Sequence, residues 1–280
     1  MTISKNNTIP GKHNKPILID VFYKETNTPK PIAIFCHGYK GFKDWGAWDL
    51  MAGAFAKAGF LFIKFNFSHN GGTVKQPIDF PDLKAFGNNN YTKELDDLES
   101  VIDWISSNSI VENEADLAHI NLIGHSRAGG IVTIKAQEDN RIERVISLAG
   151  VSSFGRRNSV IGDLKQWKIN GVKYVLNART KQKMPHYYQF YKDFITNEER
   201  LTIKRAVSNL KIPYLIIHGS NDTSVLIEEA HALHSWNPNS KLEIIEGADH
   251  VFNTKHPWSS DKMSQQLNQV FEIISIFLKR

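Results

Sequence analysis

The chain has 280 residues, of which 41% are hydrophobic and 22% charged, a balance typical of a globular protein rather than a disordered or fibrous one. Its formal net charge of +5 raises the question of nucleic-acid binding. Basic and acidic residues are interspersed, however, and no zinc-ligand spacing, RNP motif or basic helix accompanies them. We therefore expect no nucleic-acid partner.

Features that indicate export or membrane insertion are not found. The N-terminal stretch MTISKNNTIPGKHNKP is polar, and no later stretch approaches the roughly 20 apolar residues that span a bilayer. The single cysteine, Cys36, cannot form an intramolecular disulfide and is expected to be a buried strand residue. We expect a cytoplasmic protein without stable membrane insertion, either a monomer or a homodimer.

Short apolar runs alternate with amphipathic segments along the chain, which is typical of an α/β fold. Strands are predicted over residues 17–23, 31–36, 60–67, 120–124, 144–149, 213–218 and 242–246. Helices are predicted over residues 48–57, 93–104, 126–137, 227–235 and 262–278, with Thr92 as a cap of the second. The pattern predicts one domain over residues 1–280, with a mainly parallel central sheet flanked by helices.

Residues 151–211 interrupt the alternation and separate two predicted strands by far more than a crossover needs. We interpret them as a small helical cap or lid. The segment contains 13 Lys and Arg against 4 Asp and Glu, so the basic character of the chain lies there. Its aromatic residues would either form a roof over a site or pack the lid on the sheet: Trp167, Tyr174, Tyr187, Tyr188, Phe190, Tyr191 and Phe194.

The strand predicted over residues 120–124 runs into a helix through the sequence Gly124-His125-Ser126-Arg127-Ala128. Small residues two positions before and after the serine allow a tight turn against neighbouring chain. The segment resembles the G-x-S-x-G nucleophile elbow of the α/β-hydrolases, although Ala128 occupies the position of the second glycine. The resemblance extends from about Pro31 to the C-terminus and implies that Ser126 is the nucleophile of a serine hydrolase.

The same resemblance suggests the other two members of a catalytic triad. Asp222 follows the strand predicted over 213–218, and His250 follows the strand predicted over 242–246, in the order serine, acid, histidine that this family shows. Asp249 is the alternative acid, but adjacent side chains on a loop rarely align for a hydrogen bond to imidazole. Asp222 is therefore the expected partner of His250.

A further strand, over residues 31–36, ends in His37-Gly38-Tyr39. In the α/β-hydrolases such a loop gives one oxyanion-hole N–H and the residue after the nucleophile gives the other, which here implies the backbone amides of Tyr39 and Arg127. His37 would either brace this loop or contact substrate. The candidates for substrate binding are His37, Gly38, His125, Trp167 and Tyr187.

These features imply an acyl-enzyme mechanism on a small-molecule acyl substrate, with no metal or organic cofactor. The chain is similar to small bacterial esterases of the feruloyl and cinnamoyl esterase and dienelactone-hydrolase-like groups, so a carboxylesterase acting on aromatic or anionic esters is expected. A thioesterase, an amidase or peptidase, and a carbon–carbon bond hydrolase remain open, because each can use this triad. Two other classes are a non-catalytic ligand-binding homologue and a hydrolytic domain whose basic lid docks on an acidic protein or membrane surface.

Overall fold

The computed structural model describes residues 1–107, 111, 113–156 and 163–279 and is organised around one eight-stranded sheet. The strands are β1 (Thr2–Pro10), β2 (Pro16–Tyr23), β3 (Lys30–Cys36), β4 (Leu61–Asn66), β5 (Ala115–His125), β6 (Ile142–Leu148), β7 (Val172–Leu176), β8 (Lys183–Tyr187), β9 (Tyr214–Gly219) and β10 (Lys241–Ile245). The sheet has the order β1-β2-β4-β3-β5-β6-β9-β10, while β7 and β8 form a separate hairpin. From β4 to β10 all neighbours are parallel, and β1 and β2 are antiparallel additions at one edge.

Helices cover both faces of this sheet. They are α1 (Trp48–Lys57), α2 (Leu83–Gly87), α3 (Tyr91–Ser107), α4 (Arg127–Glu138), α5 (Leu164–Asn170), α6 (Gln189–Thr196), α7 (Ile203–Asn209), α8 (Ile227–Trp236) and α9 (Gln265–Leu278). Apolar residues of α1 and α9 pack on one face, and those of α3, α4 and α8 pack on the other. Because both faces are buried, β3 and β4 are almost continuously apolar instead of alternating.

The predicted elements agree with these helices and strands to within a few residues, with one error in capping. Helix α3 begins at Tyr91, and the N–H of Lys93 donates to Oδ1 of Asn90 at 2.9 Å. The cap is therefore Asn90, and the prediction of Thr92 was wrong because the helix starts earlier than its apolar periodicity suggests. Cys36 lies buried in β3, as predicted.

Strand β1 was not predicted from the sequence. It pairs antiparallel with β2, with an irregularity between Ser4 and Asn7 where the N–H of Asn6 donates to Asp20 Oδ1 at 2.7 Å. Most of its side chains are exposed or half-buried, so it carries little apolar signal. Its order comes from backbone pairing at a sheet edge, which composition does not reveal.

The lid segment was predicted to be helical, and it contains the helices α5, α6 and α7. It also contains the β7–β8 hairpin, which was not expected. Residues 157–162 lie outside the part of the chain that the structure describes. Trp167 is 1% exposed and donates its indole N–H to the carbonyl of His186 at 2.8 Å, which joins α5 to the hairpin. Phe194 is also buried in the core. Much of the aromatic content therefore packs the lid onto the body of the protein.

Within the described residues, no helix is both long enough and apolar enough to cross a bilayer. The longest, α3, has 17 residues and carries several acidic side chains.

Asp97, on the buried face of α3, is a carboxyl group with incomplete hydrogen bonding. Its Oδ2 accepts the N–H of Ser68 at 2.8 Å, whereas its buried Oδ1 has no partner among the described residues. Burial, only partly offset by the hydrogen bonds from Ser68, raises the pKa of Asp97 to about 7. The folded chain thus holds a proton at pH values where the unfolded chain, with a pKa near 3.9, has released it.

Replacing Asp97 by asparagine should remove a pH-dependent loss of stability. Since the folded pKa of Asp97 is raised, the contribution of this carboxyl group to the free energy of unfolding should fall as pH rises from about 4 to about 7 and then level off, and the difference between wild type and variant isolates it from the other titrating groups. At pH 8 we expect Asp97→Asn to be more stable than wild type by up to about 4 kcal/mol, and at pH 4 nearly equal to it. Urea unfolding of both proteins across this range measures the difference; a variant that is equally destabilised at every pH would contradict the expectation.

Candidate active site

Ser126 lies at the sharp turn between β5 and α4. Its backbone has φ 57° and ψ −120°, a conformation that non-glycine residues rarely adopt. The Ser126 N–H donates to the carbonyl of Leu148 at 2.8 Å, and its own carbonyl accepts the N–H of Gly129 at 3.0 Å. These bonds hold the strained turn and present the hydroxyl at the carboxyl edge of the sheet.

The small residues around the turn are required by close contacts. A Cβ atom on Gly124 would lie 2.2 Å from the carbonyl oxygen of Ala128, and one on Gly129 would lie 2.5 Å from Ser147 Oγ. Ala128 itself is fully buried. The turn therefore tolerates alanine at the second small position and needs glycine at the next one, Gly129.

His250 lies in the loop after β10, with its ring beside Ser126. Its Nε2 is 3.0 Å from Ser126 Oγ, and its carbonyl accepts the Nε2–H of His125 at 2.8 Å. The loop is tied to the one after β9 by hydrogen bonds from Asn221 N–H to the Ala248 carbonyl, 2.9 Å, and from Gly247 N–H to Ser220 Oγ, 2.8 Å. The acid and the histidine are thus held on two loops that brace each other.

Asp222 is the carboxylate that contacts this histidine. Its Oδ2 accepts the Nδ1–H of His250 at 2.7 Å, and its Oδ1 accepts the backbone N–H groups of Ser224 and Val225 at 2.8 and 2.9 Å. His218 Nε2 lies 3.3 Å from Oδ2. Burial alone would raise the pKa of Asp222, but the hydrogen bonds from His218 and His250 outweigh it and hold that pKa well below its usual range.

Asp249 has a different set of partners. Its Oδ1 accepts the N–H groups of Val251 and Asn253 at 3.0 and 2.7 Å, so the carboxylate closes its own turn. The structure places Asp222, and not Asp249, against the His250 ring.

The loop after β3 lies directly over the elbow. A Cβ on Gly38 would be 2.8 Å from Ser126 Cβ, so only glycine allows the two segments to approach this closely. His37 donates from Nδ1 to the Gly38 carbonyl at 2.9 Å and accepts the Phe67 N–H at Nε2 at 3.4 Å. Burial lowers the pKa of His37 to about 4, so a neutral ring braces the loop.

The side chains of Tyr39 and Arg127 contact each other on the same side of Ser126. The guanidinium carbon of Arg127 is 4.4 Å from the centre of the Tyr39 ring, and Nη1 donates to Glu94 Oε1 at 2.9 Å. The Tyr39 hydroxyl lies 2.7 Å from Nε2 of His186 in the lid. Burial lowers the pKa of His186 to about 3, so its neutral Nε2 can accept a hydrogen bond from the tyrosine hydroxyl. Both residues predicted to supply oxyanion N–H groups are therefore fixed through their side chains, one to α3 and one to the lid.

Two cavities meet at Ser126. The first, of about 390 Å³, has mostly aromatic and aliphatic walls: Tyr39, Lys40, Tyr91, Ser126, Arg127, Val151, Phe154, Val175, His186, Phe190, Ser224, Val225 and His250. The second, of about 310 Å³, extends towards Trp45, Trp48 and the lid residues Asn177, Ala178 and Arg179. A substrate whose scissile bond lies at Ser126 could place one group in each cavity.

The predicted substrate-binding residues have different locations. His37, Gly38 and His125 line the second cavity, with His125 buried and its pKa lowered to about 3 by burial and by the nearby His250. Trp167 and Tyr187 line neither cavity. Trp167 is buried within the lid, and Tyr187 packs against Gly87 of α2, where a Cβ would approach its ring to 2.8 Å. The expectation that these two contact substrate does not agree with the structure, because both serve lid packing.

Several cavity residues were not singled out from the sequence. Tyr91 begins α3, Phe154 follows β6, His186 lies in β8, and Phe190 lies in α6; the rings of Tyr91 and Phe154 stack at 4.0 Å. Phe190 was noted only as one of the lid aromatics. No motif marks the others, since their position depends on how the lid folds over the sheet.

One group of acidic residues has the spacing of metal ligands. The carboxylates of Asp20, Asp44 and Asp49 approach within 4.8 Å of one another, and none of the three lines either cavity at Ser126. Lys64 Nζ contacts all three at 2.5 to 2.7 Å. A lysine ammonium therefore occupies the position that a cation would take, and the group is a buried ion-pair network.

Neither a family model nor a curated protein matches this chain. Solved structures do match over nearly the whole length. Est1E from Butyrivibrio proteoclasticus has a TM-score of 0.72 at 18% identity, covering 99% of this chain and 98% of that one. Its complex with ferulic acid has a TM-score of 0.73 at 19% identity, covering 98% of each chain. An esterase domain from a Rhodothermus marinus protein has a TM-score of 0.66 at 18% identity, covering 100% of this chain and 99% of that one. The chain therefore has the α/β-hydrolase fold that was expected.

Proposed function

We propose that this α/β-hydrolase-fold chain is a serine hydrolase that cleaves carboxylic esters through an acyl-enzyme. The observation that carries the proposal is the unbroken hydrogen-bond chain from Ser126 Oγ to His250 Nε2, 3.0 Å, and from His250 Nδ1 to Asp222 Oδ2, 2.7 Å. Nucleophile, base and orienting carboxylate stand in the order that a triad mechanism needs. The strained elbow under Ser126 supports the same role.

In the proposed first half-reaction, Ser126 Oγ attacks the ester carbonyl carbon while His250 Nε2 takes the hydroxyl proton. The carbonyl π electrons move to oxygen, and the backbone N–H groups of Tyr39 and Arg127 would stabilise this oxyanion. Arg127 is the first residue of α4, so its N–H has no acceptor within the helix and is free to donate. Each such donor lowers the barrier by about 3 kcal/mol.

Collapse of the tetrahedral intermediate would break the bond to the leaving oxygen, which receives the proton from His250. Water then attacks the acyl-Ser126 carbonyl with His250 as base, and release of the acid restores the serine hydroxyl. The Asp222 carboxylate, ionised through its low pKa, would keep Nδ1 protonated and Nε2 available in both halves. No step in this sequence calls for a metal or organic cofactor.

The walls of the larger cavity favour an aromatic acyl group. One side of it is formed by Tyr91, Phe154 and Phe190. The ring centroids of Phe154 and Phe190 lie 4.0 and 4.7 Å from the ring centroid of Tyr91. Such surfaces stack on a planar ring. That Est1E binds ferulic acid, an aromatic acid, supports the same assignment.

We also propose a cytoplasmic location, because the lone cysteine is buried in β3 and the fold does not depend on a disulfide.

A panel of substrates tests the reaction class. We expect the purified protein to hydrolyse 4-nitrophenyl esters of benzoate and cinnamate, with higher kcat/KM for the ester than for the matching thioester or anilide. The reason is that nitrophenolate is a better leaving group than an anilide nitrogen and that, among the described residues, no acidic side chain that would bind an amine lines either cavity. Initial rates at equal concentrations measure this order. Hydrolysis of the thioester or anilide alone would assign the triad to one of the alternative reactions.

A further inference from the structure

Lys40 is a half-buried lysine at the junction of the two cavities. It follows Tyr39 in the loop over the elbow and lines both the 390 Å³ and the 310 Å³ cavity. Its backbone has φ 54°, in the left-handed region that lysine seldom occupies. Its Nζ lies 5.1 Å from the centre of the Tyr39 ring, so the ammonium faces the site and not only bulk solvent.

Other cations around the site have carboxylate partners. Arg127 pairs with Glu94 at 2.9 Å, and Arg179 pairs with Asp79. For Lys40, in contrast, no carboxylate lies within 4.0 Å among residues 1–107, 111, 113–156 and 163–279. None of the side chains that line either cavity is acidic, and the cavity histidines His37, His125 and His186 all have lowered pKa values through burial.

Within the described part of the chain, the ammonium group of Lys40 therefore has no carboxylate counter-ion. Burial, together with repulsion from the nearby Arg127 guanidinium, lowers the pKa of Lys40. An anionic group beside Nζ would raise this pKa again. It would replace the water that the ammonium group loses on burial, and it would offset the repulsion from Arg127. Attraction between opposite charges is also stronger in a partly enclosed cavity than in bulk water.

We propose that Lys40 is a specificity-determining residue that binds a carboxylate carried by the substrate. The inference rests on the proposed ester hydrolysis and adds the substrate class: esters with a negative charge a few bonds from the scissile carbonyl. Since Lys40 lines both cavities, the carboxylate could belong to the acyl group or to the alcohol. The chemistry recognised is the same in both cases.

Two matched pairs of esters separate these sources. The first pair is the mono-4-nitrophenyl ester of terephthalate and the corresponding ester of terephthalamic acid, which differ only in a carboxylate or carboxamide on the acyl side. The second is the acetate of 4-hydroxybenzoate and the acetate of 4-hydroxybenzamide, which differ on the alcohol side. The measured quantity is the ratio of kcat/KM for the anionic ester to that for its amide partner. We expect Lys40→Met to lower this ratio about tenfold in at least one pair, and Lys40→Arg to retain it.

Lys168→Met is the matched control. Lys168 is an exposed lysine of α5 that lines neither cavity, so this substitution removes the same charge from the basic lid. Its ratio should equal that of wild type. The ratio compares two substrates on one protein, so a fraction of unfolded variant cancels. An unchanged ratio for Lys40→Met in both pairs, or an equal fall for Lys168→Met, would overturn the assignment of Lys40.

Binding to Ser126→Ala tests the same residue without turnover. By calorimetry, terephthalate or 4-hydroxybenzoate should bind more tightly than its amide analogue, and adding Lys40→Met should abolish that difference. Equal affinities in the presence of Lys40 would refute the anion site. If wild type hydrolyses the anionic and the neutral esters with equal kcat/KM, the Lys40 inference fails and the esterase proposal stands. If wild type hydrolyses none of the four esters, the esterase proposal fails, and the binding data decide about Lys40.

Discussion

Replacing Ser126 by alanine should lower kcat/KM for 4-nitrophenyl benzoate by at least about a thousandfold, because the variant has no oxygen nucleophile for the acyl-enzyme. The oxyanion donors and His250 remain in the variant, so a small residual rate over the buffer reaction is expected. The same substitution should stop labelling by a fluorophosphonate, which intact mass spectrometry measures as the loss of one adduct. Both readouts report on the Oγ that lies 3.0 Å from His250 Nε2.

A second serine variant controls for general effects on the protein. Ser235 is exposed on α8, where its hydroxyl donates to the carbonyl of Ala232 at 2.8 Å. Ser235→Ala should retain full activity and one fluorophosphonate adduct. Turnover or labelling that survives in Ser126→Ala would place the nucleophile elsewhere and remove the basis of the proposed mechanism.

Replacing Asp222 by asparagine is expected to have the next largest effect, a fall in kcat of roughly 10³ to 10⁴ with little change in KM. An asparagine amide at this position can donate to Nδ1 and so favours the tautomer with the proton on Nε2, where it cannot accept the proton of Ser126. The backbone N–H groups of Ser224 and Val225 can still bond to the asparagine oxygen, so the loop should keep its geometry. Steady-state kinetics with the benzoate ester measures the split between kcat and KM.

Asp249→Asn distinguishes the two acids next to His250. The carboxylate of Asp249 accepts, among the described residues, the backbone N–H groups of its own turn, so its replacement should reduce activity by less than about tenfold and lower stability slightly. A large loss of kcat in Asp249→Asn together with a small loss in Asp222→Asn would reverse the assignment. The asymmetry between the two variants is therefore more informative than either result alone.

How far the sequence predicts this protein depends on the range of the interactions involved. The elements around Ser126, Asp222 and His250 could be predicted because each residue follows a local apolar run, and parallel strands bring their carboxyl ends to one edge. The choice of Asp222 over Asp249 depended on the family resemblance and on the argument that adjacent side chains on a loop rarely align for a hydrogen bond to imidazole. The geometry adds direct contacts: Oδ2 of Asp222 is 2.7 Å from His250 Nδ1, and Asp249 is bonded within its own turn.

The lid was predictable only in outline. Its length and its basic composition could be counted, but the β7–β8 hairpin contains Pro185 and too few residues for a clear strand pattern. Trp167 and Tyr187 were expected at the substrate because they are aromatic, yet they pack the lid, whereas His186 between them in the chain reaches Tyr39. Which side of a short strand faces the site is decided by packing against α2 and α6, and composition does not contain that information.

The sequence by itself determined the order of seven strands of the central sheet and of the five longer helices that flank it, the tight elbow and the candidate nucleophile, acid and base, because these depend on local patterning and on small residues at close contacts. Only the tertiary structure decided how Tyr39 contacts Arg127 and His186, and that Lys40 lies without a carboxylate partner in the part of the chain described. Those contacts join residues more than eighty positions apart, and the contact with His186 forms because the lid folds back over the sheet. The specificity of the site therefore depends on the tertiary structure, whereas the candidate catalytic residues can be recognised in the amino-acid sequence.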